Sequence, residues 1–414
     1  MKLKLNHILY FICIAITYLN NYEVTFAVWT ITLLVTIKKK YSLSIIKYIS
    51  VFILILSIAL LVSVFHKTAL FLIIRDFTYL SKPIIGLLVG YQLCKSNNSS
   101  FLKLFIYTGV LIAIIHLVII FIAFVEYKTL NVNVLREKGG YFSDYEIYTL
   151  ILLLFYKKFN LEFSKEKIKL FIFIVGFSSF LYLARTNMIQ FVILFVGIKG
   201  YYELNKQSLK IISTIIISVL IGYFAIVYIN PKRQGKGIEA FLYKIKIAPE
   251  EAFKTKINKE DWKDFNDNYR SFENIITVRQ VSSNGSSAVM FGEGLGSRLN
   301  LGRKVFSNDG GYVQYIPYVH NGFMTVFLKS GILGVILLLY FIYILFRQKK
   351  SSIKIVQNIN YLLVGTSVFL IVSNWVFLGL YLKLDNKSII IGALLALREI
   401  IIKDVKNTEI ISNE

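Results

Sequence analysis

The sequence predicts an all-α, polytopic integral membrane protein, with about twelve transmembrane helices and one large extracytoplasmic loop. Three observations predict it. Long uncharged runs recur through the chain, which is 56% hydrophobic with a mean hydropathy of +0.62. Lys and Arg crowd alternate connections between those runs. A single long hydrophilic stretch, 230–318, interrupts the series. Only 4 Pro occur, so most runs are free to form unbroken helices.

Runs long enough to span a bilayer lie near 6–20, 23–37, 45–65, 82–94, 102–125, 145–157, 168–184, 187–203 and 208–229, and again near 319–346, 359–380 and 387–402. The chain thus divides into membrane helices over 1–229, the large loop over 230–318, and further membrane helices with a short tail over 319–414. Segment 68–94 is irregular: Arg75 and Asp76 interrupt it and Pro83 is expected to break it, leaving a partial helix before Lys82. The first run has no small-residue cleavage site and is expected to be retained. Cys13 and Cys94 both fall within apolar runs, where packing is their expected role.

A net charge of +23 would suggest nucleic acid in a soluble protein. Here Lys38, Lys39, Lys40, Lys157, Lys158, Arg347, Lys349 and Lys350 sit in short loops on one side, while the other side holds Lys67, Arg75, Lys82, Arg136, Arg185, Lys383 and Lys387. The bias places both termini in the cytoplasm and loop 230–318 outside. No nucleic-acid partner is expected; the lipid bilayer is one, and an anionic substrate or headgroup another. Within the loop, residues 238–280 read as two amphipathic helices.

This topology brings distant polar groups to one membrane face. His320 and Asn321 open the run VHNGFMTVFLKSGILGVILLLYFIYILF, where the imidazole suits general-base chemistry near neutral pH or simply anchors a helix end. Gly331 and Gly334 would let another helix approach closely. Arg185, in LARTNMIQ, offers a guanidinium fork for a diphosphate, and Thr186 and Asn187 open a helix whose N-terminus favours an anion. Arg136, Arg270 and Arg279 are further candidates; each alone also reads as a solvated loop residue. Gly294 and Gly296, in FGEGLGS, form a glycine turn that could set backbone amides near a substrate; no strand and helix frame it as a dinucleotide fingerprint. Asp261, Asp264 and Asp267 are interspersed with Lys259 and Lys263, the pattern of a solvated helix face rather than a metal site. No cofactor or metal is expected. Charge in the middle of spans looks nearly absent, His116 being the main exception, which weighs against a transporter.

Three pieces together resemble the O-antigen polymerase and O-antigen ligase superfamily of bacterial integral membrane proteins: the LART segment with Arg185, the stretch from Arg270 to FGEGLGS, and HNGFMTVFLKSGILGV from His320. Ala184 stands where such proteins usually have Ser, and Phe272 stands near the place of a usual Trp. The resemblance implies a multi-pass protein of the bacterial inner (plasma) membrane. It implies a glycosyltransferase for O-antigen, capsule or exopolysaccharide that takes an undecaprenyl-diphosphate-linked oligosaccharide and works without a metal, with a chain-length regulator as a further partner. Arg185 and Arg270, with Arg136, would stabilise the leaving diphosphate, His320 would take the acceptor's proton, and Asn321 would hold the sugar or the imidazole. A ligase moving finished glycan to lipid A-core or protein shares the donor chemistry. A glycolipid flippase or other transporter is the alternative of a different class.

Overall fold

The computed structural model describes residues 4–66, 68–97, 100–128, 132–203, 205–235, 238–258, 260–306 and 311–412; Lys67 and Lys259 lie outside them. Each apolar run read from the sequence carries a helix. The order is α1 (Leu5–Ala15, continued by a 3-10 turn at Ile16–Leu19), α2 (Tyr22–Val35), α3 (Leu43–Val64), α4 (Leu70–Ser96), α5 (Phe101–Tyr127), α6 (Val132–Gly139), α7 (Asp144–Leu154), α8 (Lys165–Leu181), α9 (Arg185–Ile198) and α10 (Lys206–Ile229). The loop follows with α11 (Glu239–Lys246), α12 (Ala248–Phe253), α13 (Trp262–Asp267), α14 (Tyr269–Ser283), α15 (Ser286–Phe291) and strands β1 (Leu299–Phe306) and β2 (Tyr312–Ile316). Helices α16 (Gly322–Phe346), α17 (Lys354–Val376) and α18 (Lys387–Ser412) complete the chain. Among the described residues, α3, α5, α10, α16 and α17 are long and apolar enough to cross a membrane. Leu5–Leu19, α2 and α9 are shorter apolar helices.

Four expectations need correction. Pro83 does not break the chain, because α4 runs on through it; a proline's missing N–H is tolerable where neighbouring groups satisfy the freed backbone. The loop's helical region is four helices rather than two. The fold is not wholly α. Leu299 and Leu301 are buried while Asn300 and Gly302 face out, and this period of two makes β1, which pairs antiparallel with β2 in the register Leu299↔Ile316 and Phe306↔Tyr312. The fourth concerns charge.

Lys82 and Lys387 are not loop residues in water. Lys82 lies inside α4 and donates to the carbonyls of Leu382, Lys383 and Asp385, while Lys387 pairs with Asp144 at 2.7 Å and with Asp385 at 2.5 Å, all buried. Lys329, within the long apolar run, is buried against Asp76 at 2.5 Å. The apolar interior therefore holds charge after all, and Lys329–Asp76 and Lys387–Asp144 bring together distant parts of the chain. Each buried cation has a carboxylate or carbonyls at hand, so these clusters join helices.

Helices α4 and α18 pack most closely. A side-chain carbon at Gly90 would lie 2.0 Å from the Ile389 carbonyl, and one at Gly392 2.0 Å from that of Leu87. The sequence signal was present in G-L-L-V-G over 86–90, a small-xxx-small spacing. Helix α10 is the opposite case: none of its apolar window is buried by protein. The loop has a core of its own, in which Phe265, Phe272, Val281, Leu299 and Leu301 pack on Val319, Phe327 and Leu328 at the start of α16. This cluster fixes the loop above the bundle and positions the site.

Candidate active site

Helix α14 lies at the centre. Phe272 and Val281 turn into the loop core, while Arg270 and Glu273, one turn apart, project on another face. Glu273 is only 1% exposed, and its carboxylate accepts from the backbone N–H of His320 at 2.8 Å and from His320 Nδ1 at 3.0 Å. The Tyr269 ring stands edge-on to the imidazole, with centroids 6.0 Å apart. The Glu273 charge raises the His320 pKa above the ordinary histidine value, and burial only partly opposes it. With Nδ1 engaged, Nε2 is the nitrogen left to exchange a proton. The side chain is 55% exposed, so that nitrogen is approachable.

Arg270 reaches the other way and meets Glu251 at 2.7 Å, with its guanidinium 4.8 Å above the Phe377 ring. Arg185 meets the same carboxylate at 3.0 Å and also donates to the Lys244 carbonyl. Arg185 opens α9 directly: Ala184 is the cap residue, in extended conformation and with no side-chain cap bond. Glu251 thus joins Arg185 of α9 to Arg270 of α14, and Glu273, one turn along α14 from Arg270, holds His320 at the start of α16.

Arg185, Arg270 and Glu251 border a cavity of about 700 Å³, whose lining does not include Glu273 or His320. Arg136, Arg185, Lys244 and Arg270 line it, together with Leu183, Ile189, Val372, Trp375 and Phe377. Cations outnumber their local counter-charge. Burial, followed by the neighbouring Arg136 and Arg185, pulls the Lys244 pKa below the usual lysine range. Burial also lowers that of Arg270, with Glu251 opposing, and that of Arg136, where Arg185 adds to the effect. Like charges held this close, in a partly dry pocket, favour an anion. Three lining residues carry a buried polar atom with no partner among the described residues: Arg136 Nε, Asn274 Oδ1 and Trp375 Nε1.

Other predicted site residues are placed elsewhere. Arg279 is exposed and does not line the cavity; nine positions after Arg270, at about 3.6 residues per turn, it faces the opposite side of α14. Asn321 caps α16, its side chain accepting from the Met324 N–H at 3.1 Å, so its oxygen is committed to the helix end. Gly294 and Gly296, at φ +79° and +82°, dock the loop on the bundle. The Gly296 N–H donates to Asp76 at 2.7 Å, and a side-chain carbon at Gly294 would meet the Ser63 backbone at 2.7 Å. Of the two glycines expected to admit a second helix, Gly331 receives the loop instead, and a side-chain carbon at Gly334 would meet Ser330 and Val326 of α16 itself. Gly331 is non-helical at φ +66°, and its backbone abuts Met290 and Gly292. Asn187 is buried, accepting from the Ser143 N–H, and Asp261, Asp264 and Asp267 serve as a helix cap and as partners of Lys254 and Arg233. No group of three or more potential metal ligands occurs among the described residues.

Glu251, Glu273, Lys244 and Trp375 escaped the sequence reading. For Glu273 a signal existed, since it follows Arg270 by three residues in a helical stretch. Comparison with protein-family models, with curated proteins and with solved structures finds no match for this chain.

Proposed function

We propose that the protein is a polysaccharide polymerase of the bacterial inner membrane, a glycosyltransferase acting on an undecaprenyl-diphosphate-linked oligosaccharide. The observation that carries this reading is that helix α14 presents Arg270 to the cationic cavity and, one turn on, Glu273 to the imidazole of His320. The chain crosses the bilayer about twelve times, with both termini cytoplasmic and loop 230–318 outside.

In this reading the diphosphate lies among Arg185, Arg270, Arg136 and Lys244, and the apolar wall of the cavity meets the start of the lipid chain. A hydroxyl of the acceptor sugar attacks the anomeric carbon of the donor. The bond from that carbon to the diphosphate oxygen breaks, its electron pair leaves with undecaprenyl diphosphate, and the hydroxyl proton passes to His320 Nε2. Guanidinium groups that are already oriented stabilise the negative charge developing on the leaving oxygen. Glu273 holds the imidazole in the tautomer that presents Nε2 and stabilises the imidazolium that forms.

A deletion strain tests the reading. Loss of polymerisation leaves single repeat units on the surface glycan, and restoring the gene restores the long chains. Finished polymer stranded on the carrier lipid would instead indicate a ligase, and repeat units trapped on the inner leaflet a transporter.

A further inference from the structure

Any anion that binds Arg185 and Arg270 must share or displace Glu251. Both guanidinium groups address that one carboxylate, at 3.0 and 2.7 Å. Its short helix, α12, is fixed by other means: the Ser271 hydroxyl donates to the Glu251 carbonyl at 2.9 Å. The carboxylate can therefore swing on its own side-chain bonds while the backbone stays in place. The other acids lining the cavity are differently occupied. Asp267 pairs with Arg233 at 3.1 Å and accepts from the Tyr243 hydroxyl at 2.7 Å, and Glu137 is exposed. Glu251 is thus the carboxylate placed to offset the arginine pair.

The chemistry of the proposed reaction gives that offset a purpose. A diphosphate bonded to both a sugar and a lipid loses one ester bond on transfer, and the freed terminal phosphate gains up to about one negative charge at neutral pH. A cavity of unopposed cations would hold the product more tightly than the donor and slow each turnover. Resting on the diphosphate reading, we infer that Glu251 is a positioning residue that sets product release, yielding its two arginines to the incoming diphosphate and reclaiming them as the lipid diphosphate departs. It discriminates between donor and product by charge, acting through Arg185 and Arg270 without touching the reacting atoms.

The test is titration of the full-length protein in detergent with inorganic pyrophosphate, alongside steady-state transfer kinetics. E251Q keeps the shape and removes the charge. It is expected to bind pyrophosphate roughly tenfold more tightly than the wild type, and to lower both KM for the donor and kcat, with burst kinetics showing that chemistry still occurs. E251D, too short to reach both arginines at once, is expected to shift in the same direction by a smaller factor, and it serves if E251Q does not fold. Folded variants that bind pyrophosphate no more tightly than the wild type would overturn the role of Glu251 and leave the diphosphate site standing. A wild type that binds no pyrophosphate, with E251Q equally inert, would overturn the diphosphate reading and this inference with it.

Discussion

His320 shows what a single contact does to a titratable group. Its partner Glu273 is buried and lies at 3.0 Å, so the imidazolium is favoured and the pKa is raised from the ordinary histidine value. A ring that must accept a proton works only when neutral. Transfer activity is therefore expected to rise with pH through that raised value, and E273Q should move the limb toward acid and lower the maximum rate. A pH profile unmoved by E273Q would contradict the pairing. The same contact adds stability in full below the unfolded histidine value, and that stability is lost as pH rises through the raised folded value. At this scale the sequence exposed His320 and Arg185, because such groups at the ends of apolar runs are costly and stand out, while Arg136 and Arg270 stood out only as arginines on the same side of the expected topology. It hid Glu251 and Lys244, because Glu and Lys are common in the loop and nothing local separates a partner from a solvated neighbour. Arg279 looked equivalent to Arg270 until the phase of α14 set them on opposite sides.

Within the elements, α16 carries the largest departure from a simple spanning helix. It bends at Gly331, receives α15 and the glycine turn there, and buries Lys329 against Asp76 and the Ser297 carbonyl. His320 and Asn321 ride on the segment before that bend, so the pair Lys329–Asp76 fixes the site from a distance. D76N leaves the buried Lys329 cation without a carboxylate and should cost about 3–5 kcal/mol, whereas K329M should cost less, because Asp76 keeps Arg75 at 3.0 Å and the Gly296 N–H at 2.7 Å. The double variant should recover part of that loss, which thermal unfolding in detergent would register; a double variant as unstable as the two single losses added together would argue against the pairing. Glycines offer a second comparison. G392L would drive side-chain atoms into the α4 backbone and should destabilise by at least about 1–3 kcal/mol. G222L on α10, where nothing lies within 4 Å, should be close to neutral by the same measurement. The hydropathy of a run reveals that a helix forms. It does not reveal which glycine meets a neighbour, or that a lysine inside the run has found an aspartate 253 positions away in the chain.

For the molecule as a whole, the helical plan was legible because burying backbone in lipid leaves few options, and the loop's order was legible from its aromatic content. The ion pairs Lys329–Asp76 and Lys387–Asp144 were not, since their partners are distant in sequence, and the β-hairpin was not, since in β1 only Leu299 and Leu301 alternate with exposed neighbours. Helix α10 marks where packing within the chain ends: its apolar window is uncovered by the rest of the protein, as expected of a helix that faces lipid. At this scale we propose that a cationic pocket and an imidazole act together on one lipid-linked donor. The most direct measurement uses purified protein in lipid nanodiscs supplied with an undecaprenyl-diphosphate-linked oligosaccharide, reading the product by glycan size. The wild type should build chains of many repeats and release the lipid diphosphate, while H320A and R185A, equally abundant and equally stable, should build none. Chains of normal length from either variant would contradict the account.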